Sequence, residues 1–173
     1  MRTPITLLAM LGLSLALAQP GHAQATKPMG SKPHQFTQTA RIVVPLRFDA
    51  YYTYEQVGEA LRALAAAFPE LTKLEVVGTS EEGREIWAMT VNNPKTGAPL
   101  TKPGVYVDAN IHGNEVQGGE VCLYLLNWLL TQYGKNEAIT RVVDRNAFYV
   151  IPVVNVDGRW HFFNDPNTSD SGR

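Results

Sequence analysis

An α/β fold with a mixed, mostly parallel central sheet flanked by helices is predicted by three stretches of this chain. Residues 147–154 form an unbroken, Val-rich apolar run, the pattern of a strand buried inside a largely parallel sheet. Residues 105–108 read as a short apolar strand that leads through a tight polar turn into a long apolar helix. Residues 53–69 carry Val57, Leu61, Leu64 and Phe68 at helical spacing, giving a helix with one apolar face.

The elements follow in order. The chain has 173 residues, enough for one domain or part of one. It opens with Arg2, an apolar run over 4–18, and small residues at Ala23 and Ala25, which together predict a signal peptide over 1–23. The apolar run falls short of the ~20 residues a membrane span needs, so no stable membrane insertion is expected after cleavage. Residues 24–40 are rich in Lys, Pro, Gln and Thr and read as a disordered lead-in. A domain is expected over 41–173, with 42–44 as an edge strand or extended segment.

Thr53 and Gln56 have the spacing of a capping box for the first helix, and Pro69 lies where that helix should stop. The neighbouring Tyr51, Tyr52 and Tyr54 read as packing residues. Strands at 74–77 and 85–91 flank a turn-forming stretch and predict an antiparallel hairpin. A loop over 92–103 follows, then the strand at 105–108. The helix over 116–133 is apolar almost all round between 121 and 130, so burial on every side is expected. Gly134 should terminate it, and Asn136 should cap a short helix ending near Asp144. After the strand at 147–154, Asn155–Gly158 reads as a turn, and the chain continues through aromatics into a polar loop. A sheet of this kind needs further layers than these, so 41–173 reads as a truncated, N-terminal part of a domain.

Charge and cysteine content exclude some classes. Without 1–23 there remain 14 basic and 16 acidic residues, a formal net of −2, which argues against a broad nucleic-acid or polybasic membrane surface. The single cysteine, Cys122, permits no internal disulfide and sits in the apolar helix as a core residue. An exported chain without disulfides suits a periplasmic or secreted bacterial protein.

The chemistry concentrates in the turn after 105–108. His112 and Glu115 stand three residues apart, with Gly113 between them to let the backbone turn sharply. Imidazole and carboxylate are both zinc ligands, and ligands bind at the carboxyl ends of strands in open α/β sheets. The pair reads as half of a zinc site; a polar cap on a strand–helix loop would produce the same spacing. His161 has the wrong context for a ligand, and His34 falls in the lead-in.

Five motifs in order extend this reading: Arg47-Phe48-Asp49, Tyr51–Gln56, Gly78-Thr79-Ser80 with Gly83-Arg84-Glu85-Ile86, Asn110–Glu115, and Asn155-Val156-Asp157-Gly158. Together they resemble the zinc carboxypeptidases, the carboxypeptidase A-like metallopeptidases, and most of all the exported bacterial members. The resemblance implies one Zn2+ held by His112, Glu115 and a second His further downstream. It implies hydrolysis of the C-terminal bond of peptides and proteins. It also implies a general-base Glu, an Asn-Arg pair and a pocket Tyr, none of which has a match here, so residues 41–173 are expected to be inactive alone. Arg173 is the nearest match to the substrate-binding arginine that polarises the scissile carbonyl. Val156 stands where the family usually has Pro. Alternatives are a related zinc amidohydrolase, a cell-wall peptide hydrolase, and a non-catalytic relative.

Overall fold

A computed structural model describes residues 46–165. The expected signal peptide (1–23), lead-in (24–40), segment 42–44 and Arg173 lie outside the described residues.

Helix α1 (Tyr54–Ala67) starts as its sequence requires. The Thr53 hydroxyl accepts from the Gln56 amide at 3.4 Å, and the Gln56 side chain accepts from the Thr53 amide at 2.9 Å. Two otherwise orphaned donors are thereby satisfied. Val57, Leu61 and Leu64 are buried as the periodicity predicts. Tyr54 stacks on Trp87 at 4.8 Å between ring centroids. Gly58 allows this approach, since a Cβ there would lie 2.5 Å from the Trp87 ring.

Strands β1 (Thr72–Thr79) and β2 (Glu85–Val91) form the expected antiparallel hairpin, bulged between Val76 and Gly78. Strand β3 (Gly104–Asp108) leads to α2 (Gln117–Gln132), which ends at Gly134 in a left-handed conformation, φ +75°. Asn136 caps α3 (Glu137–Arg145) by accepting from the Ala138 and Ile139 amides. Strand β4 (Ala147–Ile151) and α4 (Val156–Asn164) complete the described chain.

The sheet order is β1-β2-β4-β3, with β4 parallel to β3 and antiparallel to β2. The sheet is mixed, as expected, but among the described residues antiparallel pairings outnumber the single parallel one. The hairpin docks its second strand against β4, so β4 lies between opposed neighbours. Its apolar run reports burial, not strand direction.

The register gives the sheet two unlike faces. Met89, Val91, Phe148, Val150, Val105 and Val107 share one face and join the apolar cluster built by α1 and α2. Thr90, Tyr149, Ile151, Tyr106 and Asp108 share the other, where Tyr106 is 61% exposed.

Three expectations need correction. The run 147–154 is a strand only to Ile151, because Pro152 has no amide with which to continue the ladder. Asn155–Gly158 is not a free turn but the start of α4, with the Asn155 side chain accepting from the Gly158 amide at 2.7 Å. Finally, α2 is not buried on every side. Val121 and Tyr124 are 65% and 46% exposed, while Asn127, Thr131 and Gln132 are buried in the last turns. Its composition is uniform, but its packing is not.

Candidate metal centre

The turn between β3 and α2 is built to bring two side chains together. The Ala109 amide donates to the Ile151 carbonyl at 3.1 Å, carrying the β3–β4 ladder one step further. Asn110 then takes φ +56°, a left-handed conformation that Asn tolerates better than most residues. Its side-chain amide donates to the carbonyls of His112 at 2.6 Å and Gly113 at 3.2 Å. The Glu115 amide donates back to the His112 carbonyl at 3.1 Å, closing the turn.

His112 Nδ1 and Glu115 Oε1 consequently stand 3.0 Å apart. A carboxylate only accepts, so Nδ1 carries the proton in this pairing. The His112 side chain is 29% exposed and that of Glu115 58%, so the pair opens to solvent. An imidazole nitrogen and a carboxylate oxygen at this separation can meet one cation without a backbone movement, and both belong to the zinc donor set. Among the described residues, no third His, Cys, Asp or Glu stands with them as a potential ligand. The Asn114 Oδ1 atom beside them is buried without a partner.

Gly113 is needed for a different reason from the expected one. Its φ is not in the left-handed region; instead, a Cβ there would lie 2.5 Å from the Gly158 backbone. The His112–Glu115 turn and the first turn of α4 touch backbone to backbone. Asn155 bridges the same seam, donating from its side chain to the Ile111 carbonyl at 3.2 Å.

The centre of this seam is Arg159, which the sequence reading passed over. It is fully buried on α4. Its guanidinium donates to Asn110 Oδ1 at 2.9 Å, the Val116 carbonyl at 3.0 Å, the Tyr52 carbonyl at 3.0 Å and Glu120 Oε1 at 2.7 Å. Glu120 also accepts from the Tyr52 amide at 3.0 Å, while its other oxygen is buried without a partner. Burial pushes the Arg159 pKa down, against the opposing hydrogen bond and charge of Glu120. The signal available in the sequence was an arginine directly after a strand-closing Asn-x-Asp-Gly, together with a Glu on the facing helix.

A second polar cluster joins α4 to the β1–β2 hairpin. Asp157 accepts from Ser80 Oγ at 2.7 Å, the Glu82 amide at 3.2 Å and Arg84 at 2.6 Å. Arg84 also meets Glu82 at 2.6 Å and lies over the Trp160 ring, 4.4 Å from its centroid. His161 pairs with Glu82 at 2.6 Å, on the hairpin side of α4. Cys122 is buried, and its thiol is pushed up to about 11 by burial and then by Asp108, which leaves no nucleophile there at neutral pH.

A hollow of about 420 Å³ lies among Leu46, Tyr51, Tyr52, Gln56 and Ala60, and neither His112 nor Glu115 lines it. The polar pair rests on the rim of the sheet instead.

Comparison with known proteins adds an independent line. Residues 57–173 match the family model described as zinc carboxypeptidase. Human carboxypeptidase D is 37% identical over 109 residues, which are 63% of this chain and 8% of that protein. Among solved structures, the carboxypeptidase A from Helicoverpa armigera superposes with a TM-score of 0.61 at 27% identity. That match covers 68% of this chain and 28% of the other. A metallo-carboxypeptidase from Burkholderia cenocepacia gives 0.56 at 26% identity, over 64% and 29% of the two chains. The chain thus spans under a third of the length of each of these proteins.

Proposed function

The chain belongs to the zinc carboxypeptidase family, and from that premise we propose that it serves a zinc-dependent metallocarboxypeptidase acting on the C-termini of peptides and proteins. His112 and Glu115 are two of the zinc ligands in this reading. The observation that carries it is the 3.0 Å approach of His112 Nδ1 to Glu115 Oε1 on the strand–helix turn, within the stretch matched to the family.

Zinc bound there would polarise the scissile carbonyl and acidify a water. The chain's own residues do the positioning. His112 would hold the metal through Nδ1, with its ring proton on Nε2, and Glu115 would hold it through a carboxylate oxygen. Both are held by a turn whose carbonyls are engaged by Asn110. Arg173 is assigned the oxyanion-stabilising role that the family resemblance gives it. Residues 41–173 supply the N-terminal part of the catalytic domain. Residues 1–23 direct export and 24–40 form the lead-in, placing a bacterial protein in the periplasm or outside the cell.

The test uses the native protein. His112→Ala and Glu115→Ala should each sharply reduce zinc content and abolish release of the C-terminal residue from peptides. Full zinc occupancy in both variants would overturn the ligand assignment. Hydrolysis of acylated amino acids in place of peptides would move the enzyme to the amidohydrolase alternative.

A further inference from the structure

We propose that Arg159 is a positioning residue for the metal pair, acting through Asn110; the inference rests on the reading of His112 and Glu115 as zinc ligands. One buried guanidinium grips the segment that carries both ligands from its two sides. Ahead of His112 it binds Asn110 Oδ1 at 2.9 Å, and just beyond Glu115 it binds the Val116 carbonyl at 3.0 Å. Both bonds come from Nη1, whose two N–H groups lie at a fixed angle in the guanidinium plane, while Nε and Nη2 are tied to Tyr52 and Glu120, so the nitrogen cannot swing away from either acceptor.

Asn110 passes the constraint on. Its oxygen is held by Arg159, which orients its amide toward the His112 and Gly113 carbonyls. An Asn side chain can flip its two ends, and the cationic donor on one end selects a single orientation. The His112 backbone is thereby fixed relative to α2, and its ring relative to Glu115. Gly119 completes the arrangement, since a Cβ there would lie 2.7 Å from Arg159 Nη1. Glu120 balances the charge, so the guanidinium stays in place whether or not a cation occupies the turn.

Two variants of the native protein, freed of metal by a chelator, test the role. Asn110→Gly keeps the left-handed conformation without strain and removes the side-chain relay, leaving Arg159 Nη1 the Val116 carbonyl. Arg159→Met combined with Glu120→Gln removes the clamp without leaving a lone buried charge. Each is titrated with Co2+, following both affinity and the visible d–d absorption band, alongside circular dichroism and thermal melts. The expected result is a folded protein whose Co2+ affinity falls by about 10–100-fold, the usual effect of losing a partner behind a metal ligand, with an altered band. A purely structural role would lower the melting temperature and leave the band of the folded protein unchanged. Affinity within twofold of the parent and an unchanged band in Asn110→Gly would overturn the proposal, and that variant decides if the double variant fails to fold. His112→Ala serves as the control. If it binds Co2+ like the parent, the zinc-ligand reading itself falls, and this inference with it. If it loses Co2+ while Asn110→Gly does not, the positioning role alone is overturned.

Discussion

Helix α4 is held at its start by two arginine–carboxylate networks that look alike in distance and differ in exposure. Arg159 and Glu120 meet at 2.7 Å with side chains 0% and 14% exposed. Arg84 and Asp157 meet at 2.6 Å with side chains 16% and 19% exposed, and Arg84 shares itself with the open carboxylate of Glu82. The first network is shut between α4, α2 and the segment before α1, next to the His112–Glu115 turn. The second faces water between α4 and the hairpin. Bond length does not separate them; the medium does. The Arg159 charge, fully buried, has no solvent to fall back on, so it fixes geometry and is costly to break. A charge in the wetter network can be rehydrated, so it joins two elements at little risk.

The strongest way to break this comparison is to remove one partner from the dry side. Arg159→Met leaves the largely buried Glu120 carboxylate without its cation and with only the Tyr52 amide, which should cost about 3–5 kcal/mol of stability. Denaturant unfolding would measure it, and adding Glu120→Gln should recover part of the loss. A single-variant cost below ~1 kcal/mol would mean that water already reaches Glu120, contrary to the burial on which the contrast rests.

The seam beside Arg159 offers a smaller, steric test. Gly113→Ala would set a methyl 2.5–2.6 Å from the Gly158 backbone, where no flexible side chain can give way. The two turns must separate, at about 1–3 kcal/mol, the range for overpacking. Because the strain falls on the metal turn, zinc affinity should drop together with the melting temperature. Retained stability with retained zinc would show that α4 can slide without disturbing the turn.

These two tests bear on the residues that were hardest to read from sequence. Helix α1, the hairpin, β3, α3 and the stop at Gly134 were legible because local chemistry sets them: a capping box, alternation around a turn, an Asn cap, a glycine past the end. The His112–Glu115 pair was legible for the same reason, being three residues apart. Helix α4 was not. Its first turn contains Asn, Asp and Gly, which read as a loop, and its aromatics show no single apolar face. The role of Gly113 was misread because its constraint comes from Gly158, far along the chain. Arg159 carries no local signal because its partners lie far from it in sequence, Tyr52 in one stretch and Asn110, Val116 and Glu120 in another. The exposed edge of α2 was likewise invisible, since Val121 and Tyr124 are as apolar as their buried neighbours. Contacts between distant segments leave no period in a sequence.

The mildest test sharpens the wet side of the comparison through pH. Burial alone would raise the Asp157 pKa, but hydrogen bonds from Ser80, Arg84 and the Glu82 amide outweigh it and hold the group below its ordinary 3.8. Glu82 is also lowered, first by Arg84 and then by His161. A carboxylate whose folded pKa is depressed contributes stability that is present above its unfolded value and lost as pH falls through the folded one. The parent protein should therefore keep a level melting temperature from neutrality to about pH 4 and lose this contribution below it. Asp157→Asn should lower the plateau, by a loss of stability of about 1 kcal/mol, since three hydrogen bonds to a charged oxygen pair are weakened but water can replace them. Its acid limb should be shallower than the parent's, because the titrating group is gone. Glu82→Gln removes an exposed partner of the same arginine and should leave the plateau nearly where it was. Asp157 would thus be the stronger join between hairpin and helix, with the more exposed Glu82, shared by Arg84 and His161, the weaker one. If instead the two variants lose equal stability, or Asp157→Asn keeps the parent's acid limb, the half-buried position of Asp157 gives it no advantage over the open one. The graded contrast between dry and wet networks would then reduce to Arg159 alone.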